Sequence, residues 1–326
     1  MNDKVVCLRP EADFTRVGAP APASLSVSYM APDDQAVASL LKSAGALVIP
    51  AVGPKLPASL FDGASLKLIQ VTGAGVDRLD RAAIEKAGIP VANVAGGSNA
   101  AVAEYVVAST STLLRRLAWS DSEIKKGNYI AFRSRLLSDN VGGVEGLTIG
   151  IVGFGVIGMA VAEAFHRQRC NIVYYDPAPS DPARAAALGA RPVGFADLLA
   201  GSDVVTLHVP LIPATTGLIG AKEFASMKPG AVLIQASRGG IVDEQALADA
   251  LTSGHLGGAA VDVYSTEPPT ADNPLLKLTG DGAERLLLTP HIAGVTRQAA
   301  AFLFRSAWHN VERVLTSGKP PANRVY

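Results

Sequence analysis

Short apolar runs recur along this chain, each closed by Gly, Pro or a polar residue and followed by a stretch with helical spacing. In the first hundred residues they fall at 5–8, 24–29, 46–49, 66–71 and 90–94, with helical patterns at 33–43 and 80–87 that each begin with Asp, a good N-cap. Strands alternating with helices predict parallel sheets joined by crossover helices. A second series starts after residue 147, with strands expected at 148–152, 172–175, 204–208, 231–235, 259–263 and 286–288. Helical stretches at 158–169, 195–200, 221–227 and 243–253 separate them, the pattern of a six-stranded doubly wound sheet. The fold class expected is therefore α/β, with two doubly wound parallel-sheet domains.

Between the two series, residues 99–119 form a long helical pattern, apolar on most sides and so expected to be buried between domains or subunits. Residues 120–145 are polar and are read as an exposed, irregular arm. The last helix, 299–316, follows the completed second sheet and is expected to return to the first domain. The domains are thus 1–99 with 295–326, discontinuous, and 100–294 inserted between them. A length of 326 residues suits two domains.

Composition narrows the partners. Hydrophobic residues make up 48% and charged residues 18%, enough to bury sizeable cores. The 29 Lys+Arg balance 29 Asp+Glu, which argues against nucleic acid or an acidic membrane held by bulk charge. No apolar run reaches the roughly 18 residues of a membrane span. The start, Met1-Asn2-Asp3-Lys4-Val5-Val6, lacks a signal-peptide pattern, so a cytoplasmic location is expected. Cys7 and Cys170, the only cysteines, fit buried thiols rather than a disulfide framework, and no metal is expected.

Chemistry enters with Gly153-Phe154-Gly155-Val156-Ile157-Gly158. A GxGxxG is weak evidence alone, but this one directly follows a strand and opens a helix. The glycines Gly153, Gly155 and Gly158 permit a tight turn, close approach of a pyrophosphate and close helix–strand packing. The helix N-terminus offers N–H groups and partial positive charge to the phosphates. Asp176 ends the next strand, where an acid accepts hydrogen bonds from ribose hydroxyls and repels a 2′-phosphate. The cofactor expected is therefore NAD rather than NADP.

Three polar residues sit at the ends of later strands, where open α/β sheets bind ligands. They are Arg238 in Ser237-Arg238-Gly239-Gly240, Glu267 in Ser265-Thr266-Glu267-Pro268, and His291 in Thr289-Pro290-His291-Ile292. Each alone has a bland explanation. Together they supply an anion clamp, an acid/base and its carboxylate partner.

At this point the chain resembles the NAD-dependent D-isomer-specific 2-hydroxyacid dehydrogenases. The likeness rests on VTGAGVDRLD (71–80), SNAAVAEYVV (98–107), GLTIGIVGFGVIG (146–158), DVVTLHVPLIPATTGLI (203–219), MKPGAVLIQASRGGIVDEQAL (227–247), AAVDVYSTEP (259–268) and TPHIAGVT (289–296), in order. It implies a Rossmann NAD-binding domain inserted into a flavodoxin-like substrate domain, and hydride transfer between NAD(H) and C2 of a small D-2-hydroxy or 2-keto acid such as glyoxylate or hydroxypyruvate. His291 would exchange the proton, Glu267 would orient His291, and Arg238 would hold the substrate carboxylate and reacting oxygen. Backbone N–H groups of Ala74 and Gly75 would bind that carboxylate, from a cleft between the domains. Further cofactor contacts carry over to Val156 and Ile157 at the pyrophosphate, to Val209, Pro210 and Thr215 on the adenosine side, and to Ala236 and Asp262 at the nicotinamide. His208 is read as structural.

The chain departs from the family's pattern at Gln235, where Asn is usual, and at Ser265, where an acid is common. A packing change and altered local charge are the expected consequences. The end at Tyr326, without the appended regulatory domain of some phosphoglycerate dehydrogenases, points away from serine biosynthesis. A homodimer is expected, built on the 99–119 helix and the arm after it. The competing reading is an NAD-sensing binding protein of the corepressor type. It would bind NAD without reducing a keto acid, and the complete catalytic set speaks against it. A short-chain dehydrogenase is excluded, since no Tyr has Lys four residues later.

Overall fold

The computed structural model describes residues 3–326 apart from Asn140 and Ser180. Met1 and Asn2, the start of the amino-terminal reading, lie outside the described residues. The chain divides into two compact units, one made of residues up to Ser98 with Val295–Tyr326, the other of Asn99–Gly294.

The first unit holds five strands, β1 (Lys4–Cys7), β2 (Ser26–Tyr29), β3 (Ala46–Ile49), β4 (Leu68–Val71) and β5 (Val91–Ala92). They pair in parallel in the order β2-β1-β3-β4-β5, the flavodoxin-like order. Both faces of the sheet are covered, as parallel sheets require. Val5 and Cys7 face one apolar cluster and Val6 and Leu8 the other, following the two-residue alternation of a strand. The helix Arg297–Leu315 closes the first of these faces. Its Phe304 and Trp308 pack on Phe14 with ring centroids 4.6 and 5.0 Å away. β5 is shorter than the expected 90–94, because Asn93 and Val94 bond to loops instead of the ladder. The expected helix at 33–43 is also shorter, Ala36–Leu41. Asp33 does not cap it; Asp34 accepts the Ala36 N–H at 2.8 Å. Asp80 does cap the helix Arg81–Ala87, accepting the Ala83 N–H at 2.9 Å.

The second unit holds β6 (Thr148–Val152), β7 (Asn171–Tyr175), β8 (Arg191–Pro192), β9 (Val204–Leu207), β10 (Val232–Gln235), β11 (Gly258–Val261) and β12 (Leu286–Leu288). Their order, β12-β11-β10-β9-β6-β7-β8, is the doubly wound Rossmann order with a seventh strand added at one edge. The sequence pattern misses β8, because two exposed residues, one of them Pro, carry no apolar run.

Two further expectations are corrected. The helix starting at Asn99 ends at Leu114, and Arg116 turns left-handed (φ 49°) before a new helix, Leu117–Lys125. Residues 120–138 are not irregular. They complete that helix and add another, Tyr129–Ser138. Trp119 anchors the pair, packing on Phe132 at 5.3 Å, with the Arg116 and Arg135 guanidinium groups over its ring. The polar composition reflects charged pairs such as Arg116–Asp139 and Arg135–Asp281 on the surface of these helices. The Asn99–Leu114 helix buries Val102, Ala103, Val106 and Leu113 in its own unit's core, beside Ile149, Ile151 and Met159.

Candidate active site

The nucleotide loop forms where β6 ends. Gly153 has φ 91°, and a Cβ there would lie 2.5 Å from the His208 carbonyl. A Cβ on Gly158 would lie 2.2 Å from the Gly153 carbonyl, so the turn closes only with glycine at both positions. Gly155 is different, since a Cβ there would meet nothing within 4 Å. Its freedom leaves space above the N-terminus of the helix Val156–His166, where Val156 is exposed. Among the described residues the N–H groups of Val156, Ile157 and Gly158 meet no acceptor. This open, positively polarised helix end fits a pyrophosphate.

Asp176 stands at the end of β7. Its Oδ2 accepts the Phe154 N–H at 2.6 Å and its Oδ1 the Ala178 N–H at 2.8 Å. The acid thus braces the loop and keeps lone pairs for ribose hydroxyls. Thr215 organises the 209–216 loop: its hydroxyl donates to the Pro210 carbonyl at 2.6 Å and accepts the Ile212 N–H at 2.9 Å. Val209 lies against Gly153 in the same region. The His208 ring bonds Thr206 Oγ1 at 2.9 Å, and burial pushes its pKa down to about 3, so it is a neutral structural group.

His291 follows β12 in a left-handed conformation (φ 56°), its N–H donating to the Asp262 carbonyl at 2.9 Å. Its Nδ1 lies 2.8 Å from Glu267 Oε2, while Glu267 Oε1 accepts the Tyr264 N–H at 3.1 Å. Burial alone would raise the Glu267 pKa. The hydrogen bonds from His291 and Tyr264, with the nearby charges of His291 and Arg238, outweigh it and hold the carboxyl below the usual carboxylate range. With Nδ1 committed to the carboxylate, Nε2 is the ring nitrogen left for proton exchange. Arg238 lies after β10, its Nη1 donating to the Ser237 carbonyl at 2.7 Å. The unit therefore brings Arg238, Glu267 and His291 into one electrostatic group.

Several residues that place this group carried weaker sequence signals. Gln235, read as a packing change, is a buried clamp on the Arg238 turn. Its Nε2 donates to the Arg238 carbonyl at 2.9 Å and its Oε1 accepts the Ser237 hydroxyl at 2.7 Å. Ala236 is half-buried between them. Gly239 lets this turn touch the Glu267 loop, since a Cβ there would lie 1.7 Å from the Tyr264 carbonyl. Ser265 gives both its N–H and hydroxyl to Glu244, at 2.7 and 2.9 Å, a place where an acid would face another acid. Asp262, buried at the end of β11, accepts from Thr289 Oγ1 at 2.6 Å and from the Ile292 and Ala293 N–H groups at 2.8 Å each. Tyr105 extends the chain, its hydroxyl 2.7 Å from Thr289 Oγ1. Asp262 thus pins the loop carrying His291, in addition to any cofactor contact. Thr289, directly before the Pro290-His291 pair, was the signal available in the sequence.

Ala74 and Gly75 lie in the first unit, in the loop after β4. Ala74 is exposed and Gly75 half-buried. The loop is stapled by Arg78, whose buried guanidinium donates to the Pro50 and Pro54 carbonyls at 3.1 and 2.9 Å. Among the described residues no group of three or more His, Cys, Asp or Glu is placed to hold a metal, and no helix is long and apolar enough to cross a membrane.

Residues 107–293 match the family described as D-isomer specific 2-hydroxyacid dehydrogenase, NAD binding domain. The chain is 40% identical over 248 residues to a D-3-phosphoglycerate dehydrogenase of Archaeoglobus fulgidus, covering 75% of this chain and 45% of that protein. It is 38% identical over 250 residues to an (S)-sulfolactate dehydrogenase of Chromohalobacter salexigens, covering 76% of each. Among solved structures, the TT0316 protein from Thermus thermophilus aligns over 99% of this chain and 100% of its own, with TM-score 0.83 and 30% identity. The chain spans about half the length of the first curated relatives it matches. The second unit carries a nucleotide loop on a doubly wound sheet and, past later strands, a histidine–carboxylate pair. The chain belongs to the D-isomer specific 2-hydroxyacid dehydrogenase family, and its second unit is an NAD-binding domain.

Proposed function

We propose that this protein is an NAD-dependent oxidoreductase acting at C2 of a small D-2-hydroxy acid or the matching 2-keto acid. The observation that carries this reading is the 2.8 Å contact between His291 Nδ1 and Glu267 Oε2, with Arg238 close enough to lower the Glu267 pKa. The nicotinamide cofactor held by the second unit would supply the hydride chemistry at C2. In reduction, His291 Nε2 donates a proton to the carbonyl oxygen; in oxidation it removes the hydroxyl proton. Glu267 holds the ring in the orientation that frees Nε2. Arg238 offers a planar fork to the carboxylate and reacting oxygen. Ala74 and Gly75 offer backbone N–H groups to the carboxylate. Val156, Ile157, Val209, Pro210, Thr215, Ala236 and Asp262 would hold the cofactor, and the charge of Asp176 would favour NAD over NADP.

The test is a panel of 2-keto acids, including glyoxylate, hydroxypyruvate and pyruvate, with NADH and NADPH. The expected result is NADH oxidation with at least one acid, abolished in His291→Gln. NAD binding without reduction of any acid, or full activity in that variant, overturns the reading.

A cytoplasmic homodimer completes the proposal. Both cysteines are buried and free, which suits a reducing compartment. The two helices between Leu117 and Ser138 expose Leu117, Ile124, Tyr129, Leu137 and Ile130, the last at 80%. These exposed apolar side chains support a second copy as their cover.

A further inference from the structure

The loop after β4 ties two consecutive carbonyls to one short segment. The Gly73 carbonyl accepts the Val94 N–H at 3.0 Å, and the Ala74 carbonyl accepts the Asn93 side-chain amide at 2.7 Å. A trans peptide carries its C=O and N–H on opposite sides. Tying the Gly73 carbonyl to Val94 therefore aims the Ala74 N–H away from residues 93–94. Tying the Ala74 carbonyl to Asn93 aims the Gly75 N–H away from them as well. In an extended strand, successive N–H groups point in alternate directions. Here two neighbours leave on the same side, and among the described residues neither meets an acceptor. Consecutive N–H groups turned one way form a cradle for an anion.

The two ties differ in what they ask of the sequence. Val94 contributes a backbone N–H, which any residue but proline would supply. Asn93 contributes its side chain, so the orientation of the Ala74–Gly75 peptide depends on that residue type. The backbone of Asn93 is itself fixed, its N–H donating to the Asn323 carbonyl at 3.3 Å.

We infer that Asn93 is a positioning residue: its amide holds the Ala74–Gly75 peptide so that both N–H groups face the substrate carboxylate. The inference rests on the proposed role of Ala74 and Gly75 as carboxylate ligands. Without the Asn93 donor the Ala74 carbonyl loses its partner, the peptide is free to rotate, and the Gly75 N–H leaves the cradle. The loss falls on carboxylate binding, while the cofactor loop in the other unit keeps its own hydrogen bonds.

The test compares wild type with Asn93→Ala and Asn93→Asp. It measures KM and kcat for the best 2-keto acid of the panel, oxamate affinity in the presence of NADH, NADH affinity and the thermal midpoint. Asn93→Ala should raise both the keto-acid KM and the oxamate Kd about tenfold, the size of one lost charge-assisted hydrogen bond. The fall in kcat should be smaller than the rise in KM, and NADH affinity should stay at the wild-type value. Asn93→Asp keeps the packing volume but turns a carboxylate oxygen toward the Ala74 carbonyl, so its defect should be the larger. A folded variant with wild-type oxamate affinity overturns the inference, as does an equal loss of NADH affinity, which would mark a general structural role. A wild-type protein that neither reduces any acid nor binds oxamate overturns the functional reading and this inference with it. Normal wild-type turnover with unaffected Asn93 variants overturns the inference alone.

Discussion

His208 and Glu267 are single titrating groups through which pH acts on the stability of this protein. The folded pKa of His208 is lowered to about 3 from an ordinary 6.5, because its buried ring resists charge. A depressed folded pKa means that the unfolded chain takes up the proton first. The stability tied to the neutral ring is complete above about pH 6.5 and is lost progressively as pH falls toward 3. His208→Asn should therefore flatten the dependence of the thermal midpoint on pH across that window, and an unchanged slope would count against it. Glu267 acts lower down. Its folded pKa lies below the ordinary 4.5, so its contribution is present above that value and is lost beneath it. Glu267→Gln should remove that low-pH portion of the slope. It should also cut turnover by roughly two orders of magnitude, as expected when a general acid–base loses the group that orients it; steady-state kinetics would check this.

At the scale of elements, the site depends on loops from three neighbouring strands meeting closely. Gly239 is the tightest point, because a Cβ there overlaps the Tyr264 carbonyl carbon and oxygen, which are backbone and cannot swing aside. Gly239→Ala should cost about 3 kcal/mol, at the upper end for overpacking, and should displace Arg238 from Glu267. Chemical denaturation and keto-acid KM would report the two effects separately. Thr289→Val tests the other support. It removes the hydroxyl between Tyr105 and Asp262 while keeping side-chain volume, and leaves one lone pair of a buried carboxylate unbonded. A loss of about 1–2 kcal/mol is expected, with turnover reduced more than NADH binding because the pinned loop carries His291.

On the scale of the whole molecule, each unit closes its own cores. Among the described residues, the clusters around Leu233 and Ile151 draw only on the second unit, and those around Ile69 and Trp308 only on the first. A fragment of residues 99–294 should therefore fold with a cooperative transition and bind NADH, yet reduce no keto acid. Circular dichroism and nucleotide fluorescence would decide. The first unit is held across its interruption by a buried polar pair as well as by apolar packing. Asn310 Nδ2 donates to Gln70 Oε1 at 2.6 Å, and Asn310 Oδ1 accepts the Ala322 N–H at 2.7 Å. Asn310→Ala should destabilise that unit by about 2–3 kcal/mol, since it strands a buried amide.

The sequence by itself determined the parallel α/β character and the nucleotide loop, and it offered Asp176, Arg238, Glu267 and His291 as candidate site residues. These rest on local signals: apolar runs with fixed periods, glycines that tolerate positive φ or close contact, and polar residues just past strand ends. The tertiary structure alone decided which groups hold those residues in place. Gln235 clamps Arg238, Asp262 and Thr289 pin the His291 loop, and Asn93 orients a peptide 19 positions earlier. The Asp262–Thr289 and Asn93–Ala74 contacts join segments 27 and 19 residues apart, and the Gln235 clamp is a side chain bonding the backbone of its own turn, so no apolar periodicity encodes any of them. The two-residue strand β8 and the helices around Trp119 stayed illegible for a related reason: the first has no apolar run, and the second set apolar residues on exposed as well as buried faces, so their spacing marks no single buried side. Hydrophobic periodicity reports what is buried, whereas the precision of a site comes from hydrogen bonds that only the folded chain brings within reach.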